Sequence, residues 1–342
     1  MSLLANDFAS REKTEVHLLL IGIKRQISYP LNKSVIVHRP GFTFKNSRRT
    51  IDTFRTMKFL RKEVKAIDPD TVLSFGEMWN NLVLLSLVGL RYPIYVSDRS
   101  QPDKNLDWLH NYLRDKLYPL AAGYIAQTHK AKEICLKNCW NNNVEVIGNP
   151  VREIKKDPAI QKENIVLTVG RLIKTKNIDH LIEVFAKINH PDWKLVIVGG
   201  DAKNLNLSKE LNELIKTLGM EEKIFLKGIQ KDVDKYYNRS KIFAFTSSSE
   251  GFPNVVGEAL SAGLPVVAYD GVAGLMDIVE DGVNGYLTTP LNKDQFKEKL
   301  KLLMNSKKLR EEFSHKSYVK ISAFKENEIS EKYFDFITSF TI

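Results

Sequence analysis

From one end of the chain to the other, short β-branched runs alternate with amphipathic stretches. Most of these runs close on or near Gly, Asn or Ser before a helical period takes over. That alternation is the signature of parallel α/β units, and it excludes both a helical bundle and an antiparallel sandwich. In the first half the pattern predicts strands at Glu15–Gly22, Ser34–His38, Thr71–Ser74, Pro93–Ser97, Gly123–Ala126 and Val144–Ile147. Helices are expected near Arg49–Ile67, Trp79–Leu87, Lys104–Leu117 and Thr128–Asn138. A polar stretch follows, from Asn141–Asn143 through Asn149-Pro150 to Asn164, with two prolines and no period, which marks a domain boundary. The pattern then restarts with strands at Ile165–Val169, Lys194–Val198, Lys223–Leu226, Lys241–Phe245, Pro265–Tyr269 and Gly285–Leu287. Helices are expected at Ile178–Ile188, Leu205–Leu218 and Asn254–Ala262, with further helices closing the chain from Lys293. With 342 residues the chain suits two doubly wound α/β domains, at 1–150 and 151–322, and a C-terminal helix at 323–342 packing back toward the first. In open sheets of this kind ligands sit beyond the carboxyl ends of the strands, so a crevice between the domains is the expected site.

Composition narrows the class. An apolar content of 43% excludes a disordered chain, and two cysteines exclude a disulfide scaffold. The longest apolar run, Leu82 to Leu90, is far short of the roughly 20 residues a spanning helix needs. Nothing at Met1–Ser10 resembles a signal peptide, so a cytoplasmic protein is expected. Cys135 and Cys139 lie four apart in a helical pattern and read as reduced thiols, because no second ligand pair follows at metal spacing.

Charge is distributed unevenly. Residues 1–150 carry 22 Lys+Arg against 14 Asp+Glu, whereas residues 151–342 carry 29 against 27. The excess concentrates in residues 1–66, and includes Lys24, Arg25, Arg39, Lys45, Arg48, Arg49, Arg55, Lys58, Arg61, Lys62 and Lys65. Such a patch suits an anionic membrane surface or a phosphorylated lipid. Nucleic acid is not expected, since no motif for it accompanies the charge.

Two loops in the second half carry the chemistry. Gly170-Arg171-Leu172 closes a strand, and Lys174 and Lys176 follow before Asn177 opens a helix. Glycine lets a backbone approach closely, and cations beside a helix amino terminus favour phosphate oxygens. The second loop, Ser247-Ser248-Ser249-Glu250-Gly251-Phe252-Pro253-Asn254, leads into the helix Val255-Val256-Gly257-Glu258-Ala259-Leu260. Glu250 on the loop and Glu258 two turns into the helix can face one site, and carboxylates accept hydrogen bonds from vicinal diols.

The string Glu250-Gly251-Phe252-Pro253-Asn254…Glu258-Ala259-Leu260…Gly263-Leu264-Pro265-Val266 resembles the E-x7-E signature of family 4 retaining glycosyltransferases, which have the two-domain GT-B fold. Val169-Gly170-Arg171-Leu172…Lys176-Asn177, Leu195-Val196-Ile197-Val198-Gly199-Gly200 and Glu280-Asp281-Gly282-Val283-Asn284-Gly285-Tyr286-Leu287 agree in order and spacing, and Asn149-Pro150-Val151 resembles the interdomain junction. The resemblance implies transfer of a hexose or N-acetylhexosamine from a nucleotide-sugar, most simply a UDP-sugar. The implied acceptor is a lipid-linked or surface glycan, such as a polyprenyl-diphosphate oligosaccharide at the inner membrane face. Ser97-Asp98-Arg99 together with Gly251-Phe252-Pro253-Asn254-Val255 is similar to bacterial N-acetylgalactosaminyltransferases and hexosyltransferases of glycan assembly.

Residue by residue, the resemblance implies that Arg171 and Lys176 neutralise the donor diphosphate, that Glu250 orients the donor sugar, and that Glu258 holds the ribose hydroxyls. Backbone around Gly170, Gly251, Phe252, Pro253, Asn254 and Val255 would complete the donor contacts, and Gly228-Ile229 would grip the base. Ser74, Glu77, Asp98, Arg99 and Thr128 are the acceptor-side candidates. No metal or other cofactor is implied, and Asp232-Val233-Asp234 reads as the start of a surface helix. Ser2–Ala9 and then Glu15–Leu18 resemble the end of the family's first helix running into its second strand, so that either the usual first strand and its Gly-rich loop lie upstream of Met1 or another segment substitutes for them. That departure keeps a second reading open, a non-catalytic nucleotide-sugar-binding remnant; a nucleotide-sugar epimerase has no motif in its favour.

Overall fold

The computed structural model describes residues 1–21, 27, 30–202 and 205–339. Gly22, at the end of the first expected strand, and Lys24 and Arg25 of the basic set lie outside the described residues. The chain divides into two compact units, Met1–Gly148 with Glu326–Ile342, and Asn149–Lys325.

The first unit begins with α1 (Ser2–Phe8) and a parallel pair, β1 (His17–Leu19) and β2 (Ile36–His38), followed by α2 (Arg49–Ile67). Then come β3 (Val72–Phe75), α3 (Glu77–Leu87), β4 (Ile94–Ser97), α4 (Trp108–Leu117), β5 (Gly123–Ala126), α5 (His129–Lys137) and β6 (Val144–Val146). Strands β3 to β6 form a parallel sheet in sequence order, and β1–β2 pair separately, so these strands wind in one direction only. The expected strand Glu15–Gly22 is reduced to three described residues. The helix expected from Lys104 starts at Trp108 because the Asp107 side chain caps it, accepting from the His110 amide at 3.0 Å.

The second unit contains β7 (Ile165–Val169), α6 (Ile178–Ile188), β8 (Lys194–Val198), α7 (Leu207–Thr217), β9 (Ile224–Leu226), α8 (Asp234–Arg239), β10 (Ile242–Phe245), α9 (Asn254–Ser261) and β11 (Val266–Tyr269). It ends with α10 (Leu275–Ile278), β12 (Gly285–Thr288), α11 (Lys293–Asn305) and α12 (Lys307–Ile321). Its six strands are parallel in the order β12-β11-β10-β7-β8-β9. Alternate strand residues feed two cores. Val166, Leu195, Ile197, Ile242 and Ala244 pack on one face of the sheet, and Leu167, Val196, Val198, Phe243 and Phe245 on the other. Helix α6 buries Ile178, Leu181, Ile182 and Phe185, a stripe at helical spacing, against the first of these cores.

The final helix, α13 (Glu326–Thr338), belongs to the first unit. Phe334 packs on Phe8 with ring centroids 5.4 Å apart, and Arg11 bridges Asp7 and Glu331. Ile329, Tyr333 and Ile337 are buried there. Among the described residues no helix is long and apolar enough to cross a membrane.

Candidate functional site

In the second unit the chain leaves β7 toward β8 and β9, then returns on the other side of β7 to build β10. The loops after β7 and β10 therefore diverge, and this switch point is where an open parallel sheet leaves room for a ligand. The two loops are tied together. Asn177, held in the left-handed region at φ 47°, donates from Nδ2 to the Thr246 carbonyl at 2.9 Å, and Thr246 Oγ1 donates to the Lys176 carbonyl at 2.7 Å. The Ser248 amide donates to the Thr175 carbonyl at 2.8 Å.

Between the loops lies a pocket of about 370 Å³, lined by Arg171, Ile173, Thr175, Lys176, Ser249, Glu250, Phe252, Pro253, Asn254 and Val255. Lys176 donates to Glu250 Oε1, and its ammonium lies 5.6 Å from the Phe245 ring centroid. Burial, reinforced by the neighbouring Arg171 charge, pushes the Lys176 ammonium down to about 8. Arg171 is exposed, and no carboxylate pairs with it among the described residues. The pocket floor is the first turn of α9, whose Asn254 and Val255 follow Pro253. The amino end of α9, the exposed Arg171 guanidinium and the Lys176 ammonium paired with Glu250 make this a site for a polyanion, with Glu250 available to accept from hydroxyls.

The pocket unites Arg171, Lys176, Glu250, Phe252, Pro253, Asn254 and Val255. Gly170, Gly251, Gly228, Ile229 and Glu258 stand outside its lining. Gly170 donates its amide to the Val198 carbonyl, and Gly228 accepts from the Gly199 amide at 2.9 Å. Ile229 projects into solvent, 83% exposed. The Glu258 carboxylate is engaged at both oxygens. Tyr237 donates its hydroxyl to Oε2 at 2.9 Å, and Arg152 Nε approaches Oε1 at 3.4 Å. Arg152 also pairs with Asp234 at 2.6 Å, so the second aspartate of the Asp232-Val233-Asp234 string sits in an ion pair at the start of α8. Sequence reasoning did not single out Ile173, Thr175 or Ser249 as lining residues. Their only signal is membership of the two loops, since no side-chain chemistry at these positions announces a pocket.

In the first unit, the side chains of Glu77, Asp98 and Arg99 gather where β3 and β4 end. Glu77 Oε1 accepts from the Ser100 and Arg99 amides at 2.7 and 3.2 Å. Asp98 is buried and accepts from Tyr118 at 2.5 Å and Asn80 at 3.0 Å; burial, with Glu77 nearby, pushes its carboxyl up to about 6. Arg99 lies 4.4 Å from the Phe75 ring centroid and donates to the Tyr333 hydroxyl at 3.0 Å. Ser74 is buried within β3, and Thr128 is a fully buried cap, its hydroxyl accepting from the Ala131 amide. Along α2, Arg49, Arg55, Lys58, Lys62 and Lys65 are exposed, with Ile51 and Phe54 beside them at 58% and 65%. Arg61 instead turns inward and donates to the Ser86 and Val88 carbonyls at the end of α3.

A family model described as "Glycosyl transferases group 1" matches residues 150–320. An uncharacterised glycosyltransferase of Haemophilus influenzae is 31% identical over 281 residues, covering 78% of this chain and 75% of that protein. The amylovoran biosynthesis glycosyltransferase AmsD of Erwinia amylovora is 30% identical, covering 85% and 81%. A Campylobacter jejuni protein named as a diphospho-undecaprenol 4-alpha-N-acetylgalactosaminyltransferase is 29% identical, covering 93% and 90%. Among solved structures, the lipopolysaccharide outer core galactosyltransferase WaaB superposes with a TM-score of 0.80 at 20% identity, covering 99% of this chain and 94% of that one.

Proposed function

This chain belongs to the glycosyl transferases group 1 and is a glycosyltransferase of the GT-B fold, and from that premise we propose that it moves a hexose or N-acetylhexosamine from a UDP-sugar to a lipid-linked or surface-glycan acceptor, with retention of anomeric configuration. The observation that carries the reading is the pocket at the β7–β10 switch point, where an unpaired Arg171, the Lys176–Glu250 pair and the start of α9 meet. Arg171 and Lys176 take the diphosphate and stabilise the charge that grows as the nucleoside diphosphate departs. Glu250 exchanges its ammonium partner for a sugar hydroxyl and fixes the ring, and Glu258, preset by Tyr237 and Arg152, receives the ribose. Cations and the helix terminus supply the positive charge, so no metal is required. The Campylobacter relative's name places its acceptor on diphospho-undecaprenol, and solved neighbours include UDP complexes, both in keeping with this donor and acceptor class.

The decisive measurement is a thermal-shift screen of UDP-, GDP- and ADP-sugars. One UDP-hexose or UDP-N-acetylhexosamine is expected to stabilise the protein, by about 2.7 kcal/mol at a hundred times its dissociation constant. Arg171→Ala should abolish that shift. Stabilisation by a GDP- or ADP-sugar alone would refute the donor assignment, and a shift retained in Arg171→Ala would remove Arg171 from the site.

The exposed basic stripe of α2, with Ile51 and Phe54 interleaved, supports docking at the anionic inner face of the plasma membrane, where a polyprenyl-linked acceptor resides. Reversing charge at Arg48 and Arg49 together (both to Glu) is expected to reduce sedimentation with phosphatidylserine-containing vesicles several-fold at low salt. Unchanged sedimentation would refute this mode of docking.

A further inference from the structure

We propose that a groove on the first unit, remote in sequence from both donor loops, binds a phosphorylated sugar through Arg114. The groove, about 510 Å³, lies between the loop that leads into α4 and the end of α5. That volume falls within the range of small-ligand pockets.

Arg114 is 8% exposed, its guanidinium carbon lies 3.9 Å from the Trp140 ring centroid, and no carboxylate pairs with it among the described residues. The only hydrogen bond of its guanidinium among those residues runs from Nη2 to Asn111 Oδ1 at 3.3 Å, and Nε, sealed from solvent, has no partner among them. The buried Asp98 carboxylate feels the Arg114 charge but forms no ion pair with it among the described residues. A buried guanidinium with so few direct partners is costly to keep, and an oxyanion reaching its Nη edge would offset that cost. The wall is built to hold it there. Asn111 accepts from the Leu106 amide and donates to Asn105 Oδ1 at 2.6 Å, pinning the loop against α4.

Lys104 and Lys137, both exposed, flank the opening and add to the attraction for an anion. The lining also carries Asp103 and Asp115, which would repel a bare phosphate. Asp115 is already occupied, since Trp140 Nε1 donates to it at 2.8 Å, and Asp103 is exposed at the rim. Carboxylates beside cations suit a ligand with both an anionic group and hydroxyls: the phosphate meets Arg114 and the lysines, and the sugar hydroxyls donate to the acids.

The test is calorimetric titration of the full chain carrying Arg171→Ala, so that the donor pocket does not respond, with glucose 6-phosphate, inorganic phosphate and glucose in turn. Glucose 6-phosphate is expected to bind more tightly than inorganic phosphate, and glucose not measurably. Arg114→Gln should weaken glucose 6-phosphate by at least tenfold. Where loss of the Trp140 stack destabilises that variant, Lys104→Ala with Lys137→Ala, at two exposed positions, should still weaken binding several-fold. Absence of glucose 6-phosphate binding, equal binding of glucose, or affinity undiminished by the lysine pair would overturn the proposal.

Discussion

Glu250→Ala lowers kcat/KM for sugar transfer by roughly 30- to 1000-fold, about 2–4 kcal/mol of transition-state stabilisation, the scale seen when a positioned polar group is removed from an active site. The expected loss falls mainly in kcat, because the carboxylate orients the sugar ring while the diphosphate is held by other groups. Stability should change little, since Glu250 is a partly exposed loop residue whose one described partner is Lys176.

The substitution has a second consequence that identifies the pair. Lys176 sits near 8 because burial and Arg171 both disfavour its charge. A lysine with a lowered value is charged below that pH and loses its charge as pH rises through it, so donor binding by the wild-type protein should fall above about pH 8. Without Glu250 the ammonium has no carboxylate beside it, and the alkaline limb of kcat/KM should move to lower pH. Lys176→Arg should carry activity past pH 10, since a guanidinium stays protonated there. A wild-type profile flat to pH 10 would show that the Lys176 charge is not used.

Gly199→Ala is expected to destabilise the second unit by about 2–5 kcal/mol, combining overpacking with strain at positive φ. Gly199 follows β8 at φ 143°, and a Cβ built there meets the Gly170 carbonyl oxygen at 1.7 Å. The atom it meets is backbone, and a Cβ is fixed by its own backbone, so no rotamer change relieves the clash and the Gly170–Lys176 loop must move. Donor-induced stabilisation should therefore disappear together with a Tm drop on the order of 10 °C. Gly219→Ala is the control: φ is 64°, but nothing lies within 4 Å of the added carbon. It should show the cost of positive φ alone, about 1 kcal/mol, with donor binding intact. Equal effects of the two substitutions would mean that close packing of Gly199 on Gly170 does not support the donor loop.

Much of this architecture is legible in the sequence because parallel strands buried on both faces are written as unbroken apolar runs. Ile165–Val169 and Lys194–Val198 were expected over the same residues that form β7 and β8. One short element escaped: α10 spans four residues, too few for a period to emerge, whereas the six-residue α8 starts at Asp234, within the string read as the start of a surface helix. The loop residues Arg171, Lys176 and Glu250 could be paired on paper because each lies just beyond a strand end, where chain direction limits the choices. Glu258 was harder. Helical spacing fixes where its Cα lies, but the carboxylate direction is set by Arg152 and Tyr237, which lie 106 and 21 residues away. Arg114 gave no signal, because one arginine in an amphipathic helix looks like any solvated cation until its surroundings are seen.

Helix α13 has a further consequence, in how the protein comes to be made. Its Tyr333, Ile329 and Ile337 are buried in a unit whose other residues end at Gly148. Nascent chains usually mature domain by domain from the amino end. Here the first unit must wait for residues 326–338, which are translated after the whole of the second, so the second unit, complete by Lys325, is the one able to mature first.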